Sequence, residues 1–521
     1  MRPKYWSGDV RVDASLLSDS TKGYQTAMHF LKVSEDWNTL ISVYNYWSWN
    51  YRLEAIDLNI RFVDSDGKTQ VARKLAIPPH GYVLIDARLW LAESSICEIE
   101  GEAVLRLEGE GLLPENPIQL IVDYTLSGRS VSSVHGQGGL VGYSFSQRMH
   151  MISVCEHDGW QTSFDLKNHY CGHDPLPVEK ASVELFNAEG RCLEADVPLP
   201  AGLSGRRHNV RDVFPESVSF LDGKRGHLRV TAPYKMHRMF YMHQNQVLGA
   251  ISVNHGTVEH NHNYPEWTGI PGADYREMGC SPRSIAPVLV GIGWESGVTL
   301  INTMGPPECD RKVRIDIYPA GGGDVPSFSH DLDLQLGQCV TLRFADLVAC
   351  GAFEGHADIW LPWQRDTQFY PRQVDCVPYV RNAFYEAATH CGSGASNISV
   401  ENAYFRKAAT RIFARLHCGP DLQSEAIIVY PTCGHPSPHV SLTEVGLIRR
   451  DGKMLMREIN VPRNGILHAT VRDLFSEAPA FLGEETSCVL RLSDKEVRLW
   501  GFHLTKTRHD TGLAMDHFFG G

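Results

Sequence analysis

The chain has 521 residues, 43% of them hydrophobic and 21% charged, the composition of a folded protein and too long for one core, since single cores stop growing near ~250–300 residues. A net charge of −12 and a pI near 6.0, with no dense run of Lys or Arg to release counterions from a phosphate backbone, argue against nucleic acid as a partner. The 13 cysteines contain no C-x-x-C pair, and no apolar run reaches the ~18 residues of a membrane span or forms a secretory core at the start, so the expectation is a soluble, cytoplasmic chain with reduced thiols and no membrane span.

The first distinctive segment is "YNYWSWNY", Tyr44 to Tyr51. Read at strand spacing, it puts Tyr44, Tyr46, Ser48 and Asn50 on one face and Asn45, Trp47, Trp49 and Tyr51 on the other. One face would join a core. The other would pack on a neighbouring unit, or take a sugar or lipid.

Next comes "LNIRFVDSDGKTQVARKLAIPPHGYVLIDARLWL", which reads as strand, Asp-Gly turn, strand, Gly-containing turn, strand and a short helical turn. The script returns as "VELFNAEGRCLEADVPLPAGLSGRRHNVRDVF", in more divergent form as "VRIDIYPAGGGDVPSFSHDLDLQLGQCVTLRFADLV", and as "VGLIRRDGKMLMREINVPRNGILHATVRDLF". Gly67, Gly190 and Gly452 occupy matching turns. Each unit continues with further alternating strands, for example "GHLRVTA" and "SCVLRLS", whose period of two places one face on a core and one in water. Self-similarity of this kind fixes architecture before any motif is weighed. It predicts an all-β chain of about four tandem antiparallel β-sandwich repeats with irregular linkers, spanning 1–140, 141–284, 285–410 and 411–521. The pattern is similar to immunoglobulin-like and fibronectin-like sandwiches, although the Cys…Trp…Cys hallmark is absent. One helix is expected, at "VRNAFYEAATH" in the third unit.

Candidate chemistry lies at the ends of the units. The first finishes "SSVHGQ", the second "ISVNHGTVEHNH" and the fourth "GLAMDHFF", which aligns His135, His255 and His517; the third offers Asp375 and Cys376 in "RQVDC". His260 and His262, two apart on an extended strand, would share a face and present two imidazoles to one ion. These five histidines are the candidate ligands of a transition metal, Fe or Zn. His243 and His503 occupy matching places one strand earlier, His509 and Asp510 are adjacent, and Cys171, His173 and Asp174 echo Cys433, His435 and His439 in a Cys-Gly-His loop. The structural alternative is that each terminal histidine hydrogen-bonds a carbonyl at a turn.

No nucleophile elbow, phosphate-binding loop or dinucleotide fingerprint occurs in strand-helix context. Two functions remain. The first is a metal-dependent enzyme, a lyase, isomerase or oxygenase acting on a small substrate, apolar or otherwise. The second is a non-catalytic scaffold or binding protein for a glycan or protein, with a homo-oligomer possible.

Overall fold

The computed structural model describes residues 23–52, 56–109, 118–138, 148–168, 180–200, 204–232, 239–260, 283–291, 293–302, 310–361, 374–382, 385–389, 410–432, 439–508 and 512–520. They form eight antiparallel sheets that pair into four β-sandwiches. Every sandwich shares the same two four-strand orders, and the second and fourth add a fifth strand to one sheet, Thr257–His260 and Phe519–Gly520. In the first, one sheet runs Gly23–Val33, Ile99–Gly109, Ile56–Asp64, Thr69–Ile77, and the other Tyr82–Asp86, Trp37–Tyr44, Ile118–Leu126, Ser130–Gly138. The expected all-β tandem-sandwich architecture is the one observed.

Alternation builds the cores. In Ile56–Asp64, the buried Leu58, Ile60 and Phe62 alternate with half-buried Asp57, Asn59 and Arg61, and Leu58 pairs with Leu107 and Ile60 with Leu105. Each such side chain contributes roughly 1.5–3 kcal/mol on burial. The second core gathers Ile152, Phe164, Leu166, Val183, Leu228 and Val230 in the same way. Edge strands are held against aggregation by charge: "TQVARKLAI" and "FSHDLDL" present Arg73, Lys74, Asp331 and Asp333 at free sheet margins.

The hairpin turns match across repeats as expected. Gly67, Gly190 and Gly452 have φ of 82°, 81° and 84°, a region open to glycine and costly for other residues. Asp64 and Asn187 brace two of these turns by accepting two main-chain N–H groups each. The recurrent "RDLF"-type segments are short helices, Ala87–Glu93, Val210–Val213, Phe344–Leu347 and Val471–Leu474, the last started by a capping box between Thr470 and Asp473.

Two local expectations are overturned. The aromatic stripe is a helix, Tyr46–Tyr51, because Asn45 accepts from Ser48 N at 3.2 Å as its N-cap and Arg52 closes it in the left-handed region at φ 60°. The segment read as a helix in the third unit instead contains the strand Glu386–Ala388, which pairs with Val374–Arg381.

The chain divides into two compact units, one of Met1–Leu185, Cys192–Asn261 and Arg450–Lys453, the other of Phe186–Arg191, His262–Arg449 and Met454–Gly521. The first, unit 1, holds the first two sandwiches, and unit 2 the last two. Among the described residues no helix is long and apolar enough to cross a membrane.

Candidate metal centre

In unit 1 the last strand of the first sandwich, Ser130–Gly138, lies beside the last full strand of the second, Ala250–His255. Small hydroxyl side chains make this approach possible. Ser130 Oγ accepts from Ile251 N at 3.1 Å and Ser132 Oγ accepts from Val253 N at 2.6 Å, so buried main-chain groups are satisfied across the seam. The same seam brings His135 and His255 together, with Nε2 atoms 2.8 Å apart and ring centroids 4.2 Å apart at 79°.

Both rings are buried, at 0% and 1% exposure. The His255 main-chain N–H donates to Asn254 Oδ1 at 2.8 Å, and its ring Nδ1 faces the Gly256 carbonyl at 3.1 Å. With the proton on Nδ1, Nε2 carries a lone pair aimed at the partner imidazole. Two nitrogens at this distance must share a proton or a cation. In a tetrahedral zinc site, imidazole nitrogens about 2.0–2.1 Å from the ion stand roughly 3.3 Å apart, so a small ring displacement converts the observed pair into two metal ligands.

Behind the pair lies a buried polar cluster. Phe240, which pairs in register with His255, donates its N–H to Asp165 Oδ1 at 2.5 Å and carries the Lys167 ammonium 3.9 Å over its ring. Lys167 Nζ is 3.2 Å from Asp165 Oδ2 and 3.7 Å from Glu102 Oε2, and donates to the Met28 carbonyl at 3.2 Å. Burial pushes the Glu102 carboxyl up to about 8, against the pull of Lys167 and with the help of Asp165. His29, its ring 4.0 Å from that of Phe240, is held neutral, well below the ordinary histidine range, first by burial and then by Lys167.

Unit 2 presents His517 with the same lock. It ends Leu513–His517, its N–H donates to Asp516 Oδ1 at 2.8 Å, and its Nδ1 faces the Phe518 carbonyl at 2.7 Å. Asp516, raised by burial, also accepts from Thr389 Oγ1 at 2.9 Å.

The remaining candidates fall elsewhere. The chain leaves one sheet after His255 and joins the other as Thr257–His260, His260 pairing with Arg148 through the main chain. His255 and His260 therefore stand on strands of different sheets rather than on one continuous strand. Gly256 makes the crossing, where an added Cβ would come 2.5 Å from the Met151 carbonyl. His262 lies outside the described residues, as do His509, Asp510, Cys171, His173, Asp174, Cys433 and His435; the described His439 faces Glu496 at 3.4 Å.

Asp375 and Cys376 are one strand too early to match the terminal histidines, because Val374–Arg381 is followed by the short terminal strand Glu386–Ala388. After Thr389 the sequence continues with His390, also outside the described residues. His243 and His503 do not match either: Phe240 opposes His255 whereas Phe502 opposes His517, an offset of two residues between their strands. Burial lowers His243 to about 3, with its Nε2 on the Ser153 carbonyl at 3.1 Å.

Sequence reasoning missed Ser130, Ser132 and the Asp165–Lys167 pair. The last was detectable: in "SFDLKN" two opposite charges sit two apart, on the face a strand turns toward one side.

No protein-family model matches the chain, and no curated protein matches it. Among solved structures, a tetra-tandem repeat in the extending region of a large adhesion protein is 8% identical, covering 89% of this chain and 90% of that one at a TM-score of 0.10. The native conformation of E. coli alpha-2-macroglobulin is 10% identical, covering 97% of this chain and 30% of that one at a TM-score of 0.11. Scores this low mark no shared arrangement, and the functional reading rests on the site's own geometry.

Proposed function

We propose that the chain is a non-catalytic scaffold or binding protein of tandem sandwiches, and that His135 and His255 hold a transition metal, zinc or iron, that fastens the first sandwich to the second. The supporting observation is the 2.8 Å approach of two buried imidazole nitrogens across a seam of matched terminal strands. A catalytic ion keeps a coordination position open to substrate. Rings at 0% and 1% exposure favour a structural ion over one that activates a small substrate. His517 enters the donor set on its sequence equivalence to His135 and His255, and His260 and His262 on their spacing.

Elemental analysis of the whole chain, reloaded with zinc or iron and dialysed, tests this. The expected result is stoichiometric metal that is lost in the His135→Ala/His255→Ala double variant while the β-sheet circular dichroism persists. Equal metal in that variant, or none in the reloaded parent, contradicts the proposal. Metal content of His517→Ala and of His260→Ala/His262→Ala decides which further donors belong.

A further inference from the structure

A second candidate site lies wholly within unit 2, where a cavity of about 410 Å³ is lined by Leu289, Val290, Trp294, Phe353, Glu354 and His468. This volume falls inside the ~300–1,000 Å³ range of small-molecule sites. Its aromatic wall follows from the sequence "VGIGW". Strand Arg283–Val290 ends in a tight turn in which Gly291 and Trp294 exchange main-chain hydrogen bonds of 3.0 and 3.1 Å. Gly291 and Gly293 have φ of 85° and 82°, and a Cβ on Gly291 would come 2.5 Å from the Gly351 carbonyl. The turn therefore needs glycine, and it projects the half-buried indole of Trp294 into the cavity wall.

The polar lining residues, Glu354 and His468, are the near end of a chain of charges that runs behind the wall. Lys506 Nζ stands 4.5 Å over the Trp294 ring and 2.7 Å from Glu425 Oε1. Glu425 Oε2 is 3.1 Å from His468 Nε2, and His468 Nδ1 is 2.6 Å from Glu354 Oε1. Burial opposes charge on His468, but the two carboxylates outweigh it and raise its pKa; burial likewise opposes charge on Glu425, yet His468 and Lys506 hold it down to about 2. Two carboxylates, one imidazolium and one ammonium leave no net charge.

This balance narrows the ligand. A cation would find Glu354 already engaged by His468, an anion would meet a carboxylate, and a purely apolar ligand would strip water from Glu354 with nothing in exchange. A neutral ring with apolar faces and hydroxyl edges satisfies both walls, its C–H face against Trp294 and Phe353 and its hydroxyls donating to Glu354. We infer that this cavity binds a neutral saccharide. The inference deepens the binding-protein reading above and rests on it.

The test is calorimetric titration of the metal-loaded whole chain with lactose, maltose, cellobiose and diacetylchitobiose at millimolar concentrations, with choline as a cationic probe. At least one saccharide is expected to bind and to be recovered intact. Its affinity should fall about 10-fold or more in Trp294→Ala, the loss of a stacking platform worth about 1.4 kcal/mol, and in Glu354→Gln, while Trp294→Phe retains most of it. Binding of none of the four, binding of choline alone, or affinity unchanged in Trp294→Ala overturns the inference. Recovery of a cleaved saccharide would leave the site standing and sink the non-catalytic reading, and metal content in the same samples reports separately on the histidine centre.

Discussion

In unit 1 the strands that meet, Ser130–Gly138 and Ala250–His255, are joined by serine hydroxyls capping main-chain N–H groups and by two facing imidazoles. In unit 2 the contact between the third and fourth sandwiches, near Glu386–Ala388 and Leu513–His517, is made by Thr389, whose hydroxyl donates to the buried Asp516. The same strand order thus supports two different seams. Unit 1 places Asp165 behind Phe240, with Lys167 and Glu102 beside it; unit 2 has Ile427 opposite Phe502 at the corresponding register position. Burying a lysine between two carboxyls in one seam, where the other has an aliphatic side chain and the single carboxyl of Asp516, teaches that fold fixes where sandwiches touch, while a few side chains decide whether the contact stores polarity that a ligand or proton can use.

The sharpest way to break the comparison is Lys167→Met. It leaves the buried Asp165 and Glu102 with Arg207 as their remaining cationic neighbour, and local stability of unit 1 should fall by about 3–5 kcal/mol, read as lost hydrogen-exchange protection in Trp160–Asn168. Strands of unit 2 should keep theirs. Equal loss in both units, or none, would refute the assignment of the Lys167-centred cluster to unit 1.

A pH series sharpens it. The Glu102 carboxyl is raised from 4.5 to about 8 on folding, so between those values the folded chain holds a proton that the unfolded chain has released. Its contribution is present below the unfolded pKa and is lost as pH rises toward 8, at a slope of at most about 1.4 kcal/mol per pH unit. Glu102→Gln should flatten that slope in unit 1; an unchanged slope would assign the pH dependence to other groups.

The smallest contrast compares hydroxyls. Ser132→Ala orphans the buried Val253 N–H and should cost about 1–3 kcal/mol, whereas Thr389→Val leaves Asp516 still accepting from His517 N and should cost about 0.5–1.5 kcal/mol. Exchange of the peptides covering each strand gives both numbers, and a larger loss for Thr389→Val would reverse the ranking of the seams.

Much of this architecture was legible from residues. Period-two alternation and the recurring glycine turn at Gly67, Gly190 and Gly452 report local backbone requirements, which sequence carries directly. The helix at Tyr46–Tyr51 was not legible, because Ser48 and Asn45 are stabilised from afar: His80 N donates to Ser48 Oγ at 2.7 Å and Asn45 Nδ2 to the Pro78 carbonyl at 3.1 Å. Cys376 was misaligned because the terminal strand of the third sandwich is only Glu386–Ala388, too short to show a period. The pairing of His135 with His255 was suggested by alignment of unit ends, but the serines that hold the seam gave no signal, since hydroxyls in a strand resemble its solvent face.

X-ray absorption at the metal edge of the zinc-loaded chain tests the histidine centre most directly. The account predicts imidazole nitrogens at about 2.0–2.1 Å, with that contribution reduced in His135→Ala and again in His135→Ala/His255→Ala. A spectrum without imidazole scattering, or one identical in parent and double variant, would show that the two rings share only a proton.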